Sequence, residues 1–396
     1  MLITSFFLLA AIQAVGDSDL IRLAPLILIF IEAGKCIQSG KFHSPAIGVS
    51  LPEFFVGAVL PMQSILVLLA SSEIRPLTYA LTMSLTVACI HIIVSARGLA
   101  SVLDQFIVAS TLAAIGAAIF DWTGFLEALS AVQTDFGLLR FMAFEGHPNL
   151  TGHNFGGAAV ACFGRFLIST DTRQKTILLM CFGILSTLPF AASSRGGLAA
   201  MGSGVLVMSI LYGQQISSRF VSNASRKYFI LTILVLIISF IVACFTQFEY
   251  FAEMLDASSE YRGLGSGFTG RTDNWYDVFV MASESTRVML LGNGLRSWDD
   301  NIMGFATDSS YVNMLWEIGL PLTVLLTLFV LYRAFWFLFN DRHGIGLIAF
   351  GILVFVLVEG LVARFFIGIG NPVSVLTLAL LTGVRSRELL RSSSSR

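Results

Sequence analysis

Charge is scarce in this sequence. Asp, Glu, Lys and Arg make up 12% of its 396 residues, and only four of them are lysine. Soluble domains carry about 25% charged residues, because charge keeps their outer surface in water. A water-soluble fold is therefore excluded. The net charge of -1 says nothing about nucleic acid, and no basic stripe with interleaved aromatics marks a nucleic-acid-binding surface. Cysteine is nearly as sparse. Cys36, Cys89, Cys162, Cys181 and Cys244 are odd in number, lie in or beside apolar stretches and form no C-x-x-C pair. That excludes a disulfide framework and a zinc site, and leaves them as small packing residues. No repeat of 20–50 residues occurs, and the terminal RSSSSR is the sole low-complexity segment. The opening MLITSFFLLAAIQAV lacks a basic leader and a cleavage site, so it is expected to stay as a first helix.

What the chain has in abundance is apolar residues, 56% of the total against about 45–50% in soluble domains. They are gathered into runs long enough to cross a bilayer, which takes about 20 residues per helix. Apolar runs between charged or Gly/Pro breaks fall near 2–15, 19–37, 51–71, 76–96, 100–120, 150–169, 175–193, 196–213, 228–247, 308–332, 344–364 and 367–384. The expected fold is an all-α polytopic membrane protein with about twelve transmembrane helices, forming one domain over 1–396. Lys and Arg collect in cytoplasmic loops, and here they choose the orientation. With both termini inside, fourteen of the 24 basic residues are cytoplasmic, including all four lysines. Seven arginines are outside: Arg75, Arg140, Arg195, Arg262, Arg271, Arg287 and Arg296. Two outer segments are long, 121–149 and 248–307, and loops of that length are usually functional.

Outward arginine runs against the basic-inside bias, so each one invites a reason. A guanidinium stays charged and forks onto phosphate oxygens. Arg262, Arg287 and Arg296 have acids nearby to balance them: Glu260, Glu284 and Asp299. Arg195 differs, lying in SSRGG in a tight turn between two spans. Arg271 lies in TGRTDNW after the run GLGSGFTG, whose glycines allow close approach of a ligand and suggest a loop that closes over substrate. Asp308 opens the tenth span in DSSYVNMLWEIGLP. On a helix, Tyr311, Val312, Leu315 and Gly319 share its face and Glu317 points nearly opposite. Asp308 suits an N-cap and equally suits a general base at the membrane surface; the two roles are compatible. In EGHPNLTGHNFGG the six-residue spacing of His147 and His153 matches no single helical face, so no metal pair is expected. Asn149 follows Pro148 at a helix start.

RFMAFEGHPN, SSRGGLAAM, SGFTGRTDNW with LLGNGL, and DSSYVNMLWEIGL follow one another over about residues 135–325. In this order they resemble the O-antigen ligase and polymerase superfamily, which includes exopolysaccharide repeat-unit polymerases. The first 130 residues match it in hydropathy only. The resemblance implies a membrane glycosyltransferase on the periplasmic face of a bacterial inner membrane, with undecaprenyl-diphosphate-linked glycan as donor. It implies diphosphate binding by Arg195 and Arg271. Arg140, Asn149 and Tyr311 are further candidate substrate-binding residues. Ligases of the family carry a histidine, then a polar residue and, ten positions on, a glycine; Ser309 and Gly319 keep that spacing, but Asp308 stands at the histidine position. That departure favours a polymerase with Asp308 as the catalytic base. Two arginines can replace a divalent cation, so neither a metal nor another cofactor is expected. Expected partners are the lipid-linked glycan, membrane lipid, and a chain-length regulator or flippase, with no nucleic acid. The alternatives are a ligase that passes glycan to another acceptor, and a polysaccharide transporter.

Overall fold

Helix formation follows from the lack of an alternative, since a backbone without water must satisfy its N–H and C=O groups internally. The structure is a computed structural model that describes residues 2–12, 19–40, 54–130, 133–134, 137–145, 147–218, 267–297, 308–341, 344–363, 368 and 370–382. Helices α1 (Leu2–Ile12), α2 (Asp19–Gln38), α3 (Leu60–Ser71, entered through a π turn Phe55–Val59), α4 (Arg75–Arg97) and α5 (Leu99–Phe120) form the first half. A short α6 (Trp122–Leu129) leads into a two-stranded hairpin, Gln133–Thr134 against Gly137–Leu138. Then come α7 (Pro148–Ile168), α8 (Thr172–Ala191) and α9 (Arg195–Ser218). The last group is α10 (Gly267–Ser283), α11 (Thr286–Leu291), α12 (Ser310–Asn340), α13 (Ile345–Glu359) and α14 (Pro372–Thr382).

The chain is an all-α membrane protein. Among the described residues, five helices are long and apolar enough to cross a bilayer: α4, α5, α8, α9 (over Arg195–Gln214) and α12. That is fewer than the twelve apolar runs. Leu2–Ile12, Phe55–Ser71, Ile345–Glu359 and Pro372–Leu381 are apolar but shorter, and the run at 228–247 lies outside the described residues.

Helix α7 is the axis of the bundle. It is buried along nearly its whole length and packs against α5, α8, α9 and α13. Its sequence, PNLTGHNFGGAAVACFGRFLI, supplies glycine and alanine where neighbouring backbones come close. Small residues at helix contacts let dispersion act over more atoms, which lipid cannot match. One close approach is between Gly152 and Gly197 of α9: a Cβ on Gly197 would stand 2.9 Å from the Gly152 carbonyl carbon. Two acids that enter the bundle are paired with arginine. Arg165 in the last turn of α7 binds both carboxylate oxygens of Asp104 at 2.7 and 3.0 Å. Glu32 of α2, which is buried, pairs with Arg97 at the end of α4. Cys36, Cys89 and Cys162 are buried and Cys181 half-buried, all four as free thiols.

Two expectations need correction. The described part of the 248–307 segment, 267–297, is mostly helical rather than an unstructured loop, and Arg271 sits in the first turns of α10. Residues 263–266 of the glycine run lie outside the described residues. Secondly, Asp308 is not the N-cap of α12. Ser309 holds that position with extended backbone (φ -141°, ψ 127°) and makes no side-chain cap bond. Asp308 precedes it with φ 44°, off the helix, so the face shared with Tyr311 and Leu315 does not include it. That face also ends early, because Gly319 breaks α12 with φ 78° and ψ 165°. Pro321 follows the break, and a Cβ on Gly319 would meet the Leu290 carbonyl oxygen at 2.5 Å.

Candidate functional site

At one end of the bundle α7, α9, α12 and α14 begin and α8 and α13 end, and most of the sequence-derived site residues lie there. The 139–142 segment reaches this end and pairs with the α8–α9 turn. Phe141 N–H donates to Ala191 O at 3.0 Å, and Arg140 Nε donates to Ala192 O at 3.1 Å. Arg140 Nη2 donates to Asn149 Oδ1 at 3.1 Å. Arg140 and Asn149, two expected substrate-binding residues, are thus tied to each other and to the turn that presents Arg195. His147 provides the N-cap of α7, accepting from Asn149 N–H through Nδ1 at 3.1 Å. Pro148 stands at the first helical position, where a missing N–H costs nothing.

Arg195 is the first residue of α9 and is half-buried. The turn before it is held by Ser193 N–H to Phe190 O at 2.9 Å and Ser194 N–H to Pro189 O at 3.1 Å. After Arg195, Gly196 packs so closely on Val362 that a Cβ there would stand 2.3 Å from a valine methyl. Val362 belongs to the turn at 360–363 that follows α13. The same turn accepts the start of α12: Ser310 N–H donates to Gly360 O and to Ala363 O, each at 2.9 Å. The residue after Arg195 and the start of α12 after Asp308 therefore pack on the same short turn.

Asp308 meets Arg271. Arg271 Nη2 lies 3.4 Å from Asp308 Oδ2, with the two side chains 21% and 32% exposed. Arg271 Nε is buried and takes no hydrogen-bond partner among the described residues, so the guanidinium keeps a donor beside the one facing the carboxylate. A small apolar cluster of Val278, Ala282, Val288 and Trp316 fastens α10 and α11 to α12. The glycines of LLGNGL serve the same docking. Asn293 N–H donates to Trp316 O and Gly294 N–H to Glu317 O, each at 2.8 Å. A Cβ on Gly292, which has φ 72°, would stand 2.3 Å from Glu317 O. Glu317 accepts from Arg296 N–H through Oε1 at 2.8 Å, and Gln63 of α3 donates to the carbonyls of Leu291 and Glu317.

Tyr311 is turned toward α13, donating its hydroxyl to Leu357 O at 2.8 Å. That hydrogen bond makes it a strut between two helices. Arg287 donates to Asn293 Oδ1 at 2.9 Å and not to Glu284. The Arg296 guanidinium lies over the Tyr79 ring, 5.5 Å from its centroid. Arg262, Glu260 and Asp299 lie outside the described residues. Among the described residues, no three His, Cys, Asp or Glu side chains are grouped so as to hold a metal ion.

Sequence reasoning passed over one group at this end. His153 of α7, Glu359 at the end of α13 and Asn371 before α14 touch in the interior. The available signal was Glu359 itself, an acid closing the otherwise uncharged run IGLIAFGILVFVLVE. A carboxylate in such a setting requires a partner. No family model and no curated protein matches the chain.

Proposed function

We propose that this chain is a membrane glycosyltransferase that polymerises undecaprenyl-diphosphate-linked oligosaccharide repeat units. The observation that carries it is the pairing of Arg271 with Asp308, next to the turn on which Gly196, the residue after Arg195, also packs. Glycosyl transfer from a lipid diphosphate has two requirements that these residues meet. The anomeric C–O bond to the diphosphate breaks as the acceptor oxygen bonds to the same carbon, and the leaving diphosphate takes the bond's electron pair. Arg195 and Arg271 stabilise that charge as preorganised donors. The acceptor hydroxyl loses its proton in the same step, and Asp308 takes it as general base. The Nε of Arg271 gives the guanidinium a second donor for a diphosphate oxygen, the bidentate mode in which arginine exceeds lysine.

In this proposal the chain crosses a bacterial inner membrane about twelve times, with both termini in the cytoplasm and 248–307 on the periplasmic face. The Lys/Arg asymmetry supports that orientation, and the resemblance of four ordered motifs supports the reaction class. A carboxylate at Asp308, where related ligases carry histidine, favours polymerase over ligase. A chain-length regulator or a flippase would be its partner. The test is incubation of purified protein with lipid-linked repeat units. A ladder of lengthening chains supports a polymerase, transfer to a foreign acceptor makes it a ligase, and absence of any product makes a transporter the better description.

A further inference from the structure

His153 has no part in the transfer chemistry above, yet it sits at the centre of a buried polar group. His153 and Glu359 are each 2% exposed and Asn371 8%. Asn371 Oδ1 accepts from Val373 N–H at 2.9 Å and Ser374 N–H at 3.1 Å, capping the start of α14. Two backbone donors fix that atom as the amide oxygen. It lies 3.0 Å from His153 Nε2, so Nε2 carries a hydrogen and donates. On the other side of the ring, His153 Nδ1 is in hydrogen-bond contact with Glu359 Oε2. Two bare lone pairs would repel there, so one proton lies between them. The pair is then either imidazolium with carboxylate or imidazole with carboxylic acid. Both states are neutral overall, which suits burial away from water. Among the described residues Glu359 Oε1 and Asn371 Nδ2 make no hydrogen bond, and the imidazole bridges the end of α13 to the start of α14.

The consequence reaches the site through the chain. Glu359 ends α13, and its carbonyl accepts from Val362 and Ala363 N–H, each at 2.8 Å, which closes the 360–363 turn. That turn holds Ser310 by its backbone N–H and by its hydroxyl on Ala363 O at 2.6 Å. It also holds Ser309 through its hydroxyl on Gly360 O at 3.3 Å. Asp308 is the residue just before this clamp. We propose that His153, Glu359 and Asn371 are positioning residues, a buried proton-sharing triad that fixes the 360–363 turn and thereby sets where Asp308 stands against Arg271. The catalytic meaning of that placement rests on the function proposed above; the mechanical link does not.

The test compares Glu359→Gln with Glu359→Leu in the purified full-length protein. A glutamine N–H can donate to Nδ1 in place of the shared proton, whereas leucine fills similar volume and donates nothing. Hydrogen–deuterium exchange is read at the Ser310 amide, whose protection reports the clamp. In Glu359→Leu that amide should exchange about tenfold faster than in wild type, and in Glu359→Gln within about threefold of it. Polymerisation kcat should fall at least about tenfold in Glu359→Leu while the donor KM changes less than about threefold, since position is lost and binding is not. A folded Glu359→Leu protein with wild-type exchange at Ser310 overturns the link. Glu359→Gln behaving like Glu359→Leu overturns the shared proton. Should Glu359→Leu fail to fold, 15N NMR of the wild-type histidines decides, because a His153 ring with a bare Nε2 contradicts the assignment. A wild-type protein that makes no glycan chains would refute the transferase proposal and leave the exchange result standing.

Discussion

Arg271, in the first turns of α10, and Asp308, just before α12, form an ion pair with Nη2 3.4 Å from Oδ2. Strong charge-assisted bonds are shorter, about 2.7–2.9 Å, and both groups are partly open to solvent. Such a pair is worth under about 1 kcal/mol, so a diphosphate can displace the carboxylate at little cost. Under the proposed function, Asp308 competes with the donor for Arg271 until the donor binds. In Asp308→Asn the competing charge is gone, and inorganic pyrophosphate should bind several-fold more tightly by calorimetry. Unchanged or weaker binding would show that the carboxylate does not guard the guanidinium.

The same substitution separates catalysis from folding. Asp308 lies outside α12 with a positive φ, a conformation that asparagine tolerates and alanine adopts at a cost of about 1 kcal/mol. Asp308→Asn should keep wild-type thermal stability, while turnover falls by the factor of about 10²–10⁴ that general-base removal produces. Wild-type turnover in that variant would remove Asp308 from the chemistry and point to Asp273, Asp277 or His147.

Arg271→Lys keeps the charge and loses the planar fork. Turnover should drop about 10²–10³-fold, the usual loss for one transition-state donor, with protein level maintained. Equal activity in Arg271→Lys would mean that Arg271 balances Asp308 and does nothing more.

Arg140 has a different expected effect, because its Nε and Nη2 are engaged by Ala192 O and Asn149 Oδ1. Arg140→Ala should lower stability by about 1–3 kcal/mol, the value of hydrogen bonds from a charged donor. A double-mutant cycle with Asn149→Ala should show coupling above about 0.5 kcal/mol. Additive losses would place Arg140 with the substrate rather than with the protein.

Topology is tested by cysteine labelling in a background without native thiols. Glu284 is exposed in the turn between α10 and α11, and an impermeant reagent should label Glu284→Cys in whole cells and spare Ser222→Cys. The reverse pattern would invert the orientation.

Composition by itself, 12% charge with 56% apolar residues, pointed to a membrane protein, and apolar runs of about 20 residues pointed to helices as the spanning elements. Break residues and apolar runs located the helices well, with α4, α5, α8 and α9 beginning and ending within a few residues of the runs. What the sequence lacked was everything that depends on which helix ends meet. Asp308 read as a helix cap because local preference favours Asp there. Tertiary contacts instead seat Ser310 on the 360–363 turn and swing Asp308 onto Arg271. The kink at Gly319 was equally hidden, because glycine within a helical run is tolerated until another backbone, here Leu290, occupies the space of its side chain. His153 and Glu359 are far apart in sequence on two apolar helices. Only the packing of α13 against α7 brings an imidazole and a carboxyl together, because burial forces each to find the other.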